Sequence, residues 1–130
     1  MASKFTDLTS VIQVIGSVYN TPQLLEYSDK YWIAEDDFED KFHRIVFGAI
    51  YKLHESGAEK ITIESINDFL KGRPTSKATY DMNKGDEWLL RASDVASNAT
   101  FDYYYGRLKK MTLLRAYNNY GIDVSYIYDP

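Results

Sequence analysis

Residues 38–57 read Phe-Glu-Asp-Lys-Phe-His-Arg-Ile-Val-Phe-Gly-Ala-Ile-Tyr-Lys-Leu-His-Glu-Ser-Gly, and this stretch decides the fold class. Phe38, Phe42, Ile45, Val46, Ala49, Ile50 and Leu53 recur at steps of three and four. That spacing draws one apolar stripe along a helix, with Lys41, Lys52 and Glu55 off it. Ser56-Gly57 is a natural stop, because glycine enters the left-handed conformation cheaply.

The same period extends in both directions. Upstream, Leu8, Val11, Ile12, Ile15, Val18 and Tyr19 predict an amphipathic helix capped by Thr9 or Ser10. Asn20-Thr21-Pro22 ends it and opens a short second helix, with Leu24, Leu25 and Tyr27 expected to face inward. Tyr31-Trp32-Ile33 reads as a short extended piece, and Asp36-Asp37-Phe38 as a turn feeding the central helix. Downstream, Thr62 caps a segment with Ile63, Ile66, Phe69 and Leu70 inward, which Lys71-Gly72-Arg73-Pro74 stops. Residues 72–86 are polar and aperiodic and read as the longest loop, of a length at which loops tend to be functional or mobile. Asp86 is the expected cap of a helix carrying Trp88, Leu89, Leu90 and Val95, which Ser97-Asn98 separates from the last one.

That last helix, from Thr100, carries Phe101, Tyr104, Leu108, Met111, Leu114, Tyr117, Tyr120, Val124 and Ile127. Its spacings average below 3.6, so the stripe drifts around the helix and a bend or change of partner is expected near Asn118-Asn119-Tyr120-Gly121. The fold class is therefore all-α: a compact multi-helix orthogonal bundle with a longer C-terminal helix.

Composition bounds the function. A chain of 130 residues, 45% hydrophobic and 26% charged, suits one globular domain that buries roughly two-thirds of its unfolded surface. A net charge of −4 argues against gripping phosphate backbones and for a protein partner. Without cysteine there is neither a disulfide framework nor a thiolate metal site. No apolar run reaches the length of a signal core or a membrane span, so a cytoplasmic protein with no membrane partner is expected. The twelve tyrosines suit core edges and half-exposed contact surfaces.

Catalytic patterns are missing. None of the seven glycines precedes a lysine, so there is no phosphate-cradling Gly-x-x-x-x-Gly-Lys loop. His43 and His54 lack the companions of a metal site and read as core-edge or capping residues. The acidic run Glu35, Asp36, Asp37, Glu39, Asp40 has Lys41 where a calcium loop needs glycine, and reads as carboxylates favoured at a helix start. Lys71 with Arg73, and Arg107, Lys109 and Lys110, read as solvated helix faces.

Together these stretches resemble the N-terminal domain of DnaB-type replicative DNA helicases. Val14 to Leu25 looks like the family's opening helix followed by Asn-x-Pro-x-Leu. Asp37-Phe38, then His43-Arg44-Ile45-Val46-Phe47-Gly48-Ala49-Ile50, Leu53 and Gly57, resemble its central series. Tyr104-Tyr105, Leu108 and Leu113-Leu114-Arg115 resemble its Tyr-x-x-x-Leu and Leu-x-Arg stretch. The segment from Arg73 to Lys84 does not align, and the acidic balance and tyrosine richness suggest a divergent, phage-encoded relative.

The resemblance implies a helical globular subdomain over residues 1–98 and, over 99–130, the first helix of a hairpin, within one domain overall. A chain stopping at Asp129-Pro130 is expected to lack the second hairpin helix. Tyr117, Tyr120, Val124 and Ile127 would then form the protein-interaction seam left without its mate. The implied role is non-catalytic scaffolding: collar and hexamer assembly by self-association, and docking of a primase or helicase loader. Cofactors are expected only in an ATPase domain outside this stretch, which would bind ATP and Mg, and DNA only through the full-length helicase. Two rivals share the fold: a stand-alone phage adaptor or loader protein that binds the helicase, and the helicase-binding domain of a primase, which would not be expected to open on Met1. A helix-turn-helix regulator is disfavoured by the acidic balance.

Overall fold

The computed structural model describes residues 5–121, and among these it contains six α-helices and no strand. The helices are α1 Leu8–Asn20, α2 Lys41–Glu55, α3 Ile63–Lys71, α4 Pro74–Met82, α5 Gly85–Val95 and α6 Phe101–Asn119. Short 3₁₀ turns at Pro22–Glu26, Glu35–Asp37 and Asn98–Thr100 link them. The all-α reading holds.

Helix α1 lies at the centre, packed against both α5 and α6. Val14, Ile15 and Val18 are wholly buried, whereas Leu8 at its first turn is exposed. Neither Thr9 nor Ser10 caps it. Asp7 does, accepting hydrogen bonds from the Ser10 N–H at 3.3 Å and the Ser10 hydroxyl at 2.9 Å. Gly16 sits where α1 crosses α5, and a β-carbon there would lie 2.2 Å from the Ala92 carbonyl oxygen. The crossing therefore depends on glycine. Gln13 and Asn20 add side-chain amide bonds of 2.9 Å to the Val95 and Ser93 carbonyls of α5.

Helix α2 carries the stripe from the quoted stretch: Phe42, Val46, Ala49 and Ile50 are buried and Ile45 and Leu53 half-buried, with Phe47 buried beside them. Asp40 caps its start through the Phe42 N–H at 2.8 Å, and Gly57, at φ +110, follows its end. In α3, Thr62 caps the start as expected, and Ser65 returns the bond to the Thr62 N–H.

Several expectations need correction. Residues 72–86 are not a long loop: α4 fills most of them and α5 begins within them. Pro74 opens α4 at a position where its missing N–H costs nothing. Tyr80 is the helix's one buried side chain, too little to produce a readable stripe. Its hydroxyl donates to Asp86 at 2.7 Å, and the Asn67 amide donates to the same carboxylate at 2.9 Å. Asp86 thus holds α4 to α3 instead of capping α5. The link between α4 and α5 is tight because Lys84 adopts φ +53, and Gly85 makes room for the Tyr80 ring. Tyr27, expected inward, is exposed, as are Leu90 and Val95, while Leu24 and Leu25 pack on the core as expected. The stretch near Asn118 where a bend or change of partner was expected is where α6 ends, at Asn119, with Gly121 following at φ +82.

Candidate functional site

Two surfaces stand out: α6 forms one and braces a wall of the other. The inner face of α6, Phe101, Leu108, Met111 and Leu114, is buried, the last two against Phe5. Polar staples reinforce that docking. Arg107 reaches the α1 cap Asp7 at 2.6 Å, and Lys109 meets both oxygens of Asp37 at 3.0 Å. Asp37, only 2% exposed, also accepts from the Thr112 hydroxyl at 2.7 Å and the Ala34 N–H at 2.8 Å. Arg115 donates to the Phe5 and Asp36 carbonyls at 2.6 and 3.1 Å.

The acidic run therefore splits. Asp40 caps a helix as the macrodipole argument requires, but Asp37 is a buried anchor for a cation 72 residues away. Arg107 and Lys109, expected on a solvated face, instead point into the body. Burial raises the Asp7 carboxyl, but the bonds from Arg107 and Ser10 outweigh it and hold the group below the ordinary carboxylate range.

The first surface is the outer face of α6. Tyr117 is 42% exposed and Tyr120 83% exposed, while Val124 and Ile127 lie outside the described residues. The stripe expected from Phe101 to Tyr120 does not stay on one face: Leu114 is buried, and the next steps of three rotate Tyr117 and Tyr120 outward. There they join Tyr103 and Leu113, both exposed, which the sequence reading did not single out. Positions 103, 106, 110, 113, 117 and 120 keep the alternating three-four spacing of a coiled-coil seam, with Gly106 and Lys110 at two of them and Tyr or Leu at the other four. That spacing was the available signal.

The second surface is a groove of about 670 Å³ between residues 28–35, one face of α2 and the corner joining α3 to α4. Its wall at Tyr31-Trp32 is fixed by α6. Tyr31 meets Phe101 and Tyr105 edge-on, with ring centroids 4.8 and 5.2 Å apart. The Tyr105 hydroxyl accepts from the Trp32 N–H at 2.7 Å and donates to the Trp32 carbonyl at 3.3 Å.

The two histidines are structural. His43 is buried against Phe42 and Trp88, and burial lowers its pKa against a weaker opposing pull from Asp40. His54 lies against the Ala58 carbonyl at 3.1 Å and Glu26 at 3.0 Å. Among the described residues no cluster of three or more His, Asp or Glu is placed to hold a metal ion, and no helix is long and apolar enough to cross a membrane.

Comparison with known proteins accords with this geometry. The chain is 38% identical over 123 residues to the SPbeta prophage-derived uncharacterized protein YorI of Bacillus subtilis (strain 168). That similarity takes in 95% of this chain and 24% of YorI, so the chain spans about a quarter of the relative's length. No solved structure matches it. The sequence profile of the DnaB-like helicase N terminal domain matches residues 7–110, which run from the α1 cap Asp7 into α6 just past Lys109. With α1 to α5 and the first ten residues of α6 inside that match, this chain belongs to the DnaB-like helicase N-terminal domain family.

Proposed function

We propose that the chain is the scaffolding domain of a phage-type replicative helicase. It spaces and orients neighbouring subunits by pairing through α6 and offers a docking face to a primase or loader. Unwinding would be driven by ATP and Mg in an ATPase domain outside this stretch, and DNA would be met only there. The observation that carries this reading is the family match, taken with an α6 whose inner face is stapled down while Tyr103, Leu113, Tyr117 and Tyr120 stand exposed at seam spacing. Apolar seams of this kind are buried by a partner helix.

Sedimentation velocity over a concentration series tests it. The chain is expected to show a reversible monomer-dimer equilibrium, and Tyr117→Asp with Tyr120→Asp is expected to weaken it at least about tenfold by burying charge in an apolar seam. A chain that stays monomeric at every concentration, or a dimer indifferent to both substitutions, would overturn pairing through α6.

A further inference from the structure

We propose that the groove between residues 28–35, α2 and the α3–α4 corner is a docking slot for an acidic amphipathic helix of a partner protein. The inference rests on the docking part of the reading above and is independent of pairing through α6.

Charge singles out the occupant. The chain as a whole carries −4, yet Lys41, Arg44, Lys52 and Arg73 line this groove against the single carboxylate of Glu35. Lys41 has no ion pair among the described residues. Arg44 and Arg73 spend their guanidinium bonds on main-chain carbonyls, those of Phe38 and Phe69. Lys52 meets only the exposed Glu55, at 3.5 Å, a contact that water and salt weaken. A positive lining on a negative protein draws an acidic partner, which the rest of the surface repels.

Shape singles out a helix. The apolar lining includes Ile45, Tyr51 and Phe69, and Trp32 stands at its edge. Trp32 has both main-chain groups bound by Tyr105, yet its side chain leaves the residue 64% exposed. A large ring on a fixed backbone needs little ordering on binding, which is the property of an interface anchor. Lys41 and Lys52 lie three turns apart on α2, roughly 16 Å along its axis, the span of a partner helix of about eleven residues.

Gly48 points the same way. A glycine inside a helix costs about 1 kcal/mol relative to alanine. Gly16 and Gly85 have internal reasons to be glycine, since a β-carbon at either would collide with Ala92 or Tyr80. Gly48 has none: a β-carbon there meets only the Glu35 carboxylate, at an unstrained 3.5 Å. Its missing side chain instead leaves the lining of the groove open, where another backbone can come close.

The probe is a fluorescein-labelled helical peptide with Leu at i, i+3, i+4 and i+7 and Glu elsewhere, titrated into the chain and followed by anisotropy. Its mirror in charge, with Lys for Glu, and single-stranded oligo-dT serve as comparators. The Glu peptide is expected to bind saturably, at least about tenfold tighter than either comparator, and to weaken as salt rises. Arg44→Glu with Lys52→Glu, and separately Gly48→Leu, are each expected to weaken it about tenfold or more. Gly48→Leu puts a better helix former where an added β-carbon meets only the Glu35 carboxylate, at 3.5 Å, and its side chain enters the groove, so circular dichroism should show an intact fold. Equal binding of the Lys peptide, preferential binding of oligo-dT, no binding of the Glu peptide, or binding untouched by Gly48→Leu would each overturn the proposal. None of these outcomes alters the sedimentation test, so the two ideas fail separately.

Discussion

Replacing Asp37 with alanine removes one acceptor from three donors: the Lys109 ammonium, the Thr112 hydroxyl and the Ala34 N–H. Breaking a buried ion pair costs about 3–5 kcal/mol when the surviving charge stays dry. Here two features soften the loss. Lys109 keeps 32% of its side chain exposed and can rehydrate, and Thr112 retains the Leu108 carbonyl at 3.1 Å. The Ala34 N–H has no second acceptor among the described residues. A loss of about 3 kcal/mol follows, a large part of the roughly 5–15 kcal/mol that holds a domain together, equivalent to about 10 °C in Tm. Urea unfolding followed by far-ultraviolet circular dichroism measures it directly. Lys109→Met alone and in combination closes a double-mutant cycle, in which the pair should couple by about 1–2 kcal/mol. A loss below about 0.5 kcal/mol, the scale of an ordinary surface change, would refute the claim that Asp37 anchors α6.

Gly16→Ala should destabilise the chain by about 2 kcal/mol in the same assay, because the new methyl meets the Ala92 carbonyl and overpacking outweighs the roughly 1 kcal/mol of helix gain; a neutral result would mean that α1 and α5 part freely. His43 is held neutral by burial, so its contribution is complete above the unfolded value of about 6.5 and is lost as pH falls below it towards the lower folded value. Urea midpoints should therefore drop between about pH 7.5 and 5.5, and His43→Phe should flatten that slope; an unchanged slope would assign the proton elsewhere. Tyr80→Phe should cost about 1 kcal/mol through its lost bond to Asp86, and native-state hydrogen exchange should show the loss in α4 first.

The parts that sequence made legible share a cause. In α2 and α3 the apolar residues are numerous enough to draw a stripe, and Thr62 or Gly57 marks an end by local chemistry alone. Helix α4 hid because a single knob, Tyr80, holds it, and its hold depends on Asp86 and a left-handed Lys84 beyond its own end. Asp37 hid for the opposite reason: its local setting among Glu35, Asp36 and Asp40 suggests a solvated acidic start, and its partners lie on α6. On α6 the drift was readable, but which residues turn outward depends on where α1 and Phe5 cover the helix. The groove could not be read at all from periodicity, since three separated segments assemble it. Gly48, an unforced glycine in the middle of α2, was its one local trace.

The clasp of Phe5 by Arg115 joins residues 110 apart in sequence. It has a consequence in time. A ribosome adding about 5–20 residues per second takes about 5–20 s to travel that distance. Throughout that interval the face of α1 that α6 will cover, and the Phe5 ring beside it, must wait in water. The loop closed at the end is long, but closure entropy grows only with the logarithm of length, so the delay costs exposure more than stability. The nascent chain therefore carries that apolar face open until α6 emerges, and a neighbouring nascent chain of the same sequence would present the same α6 to the same opening.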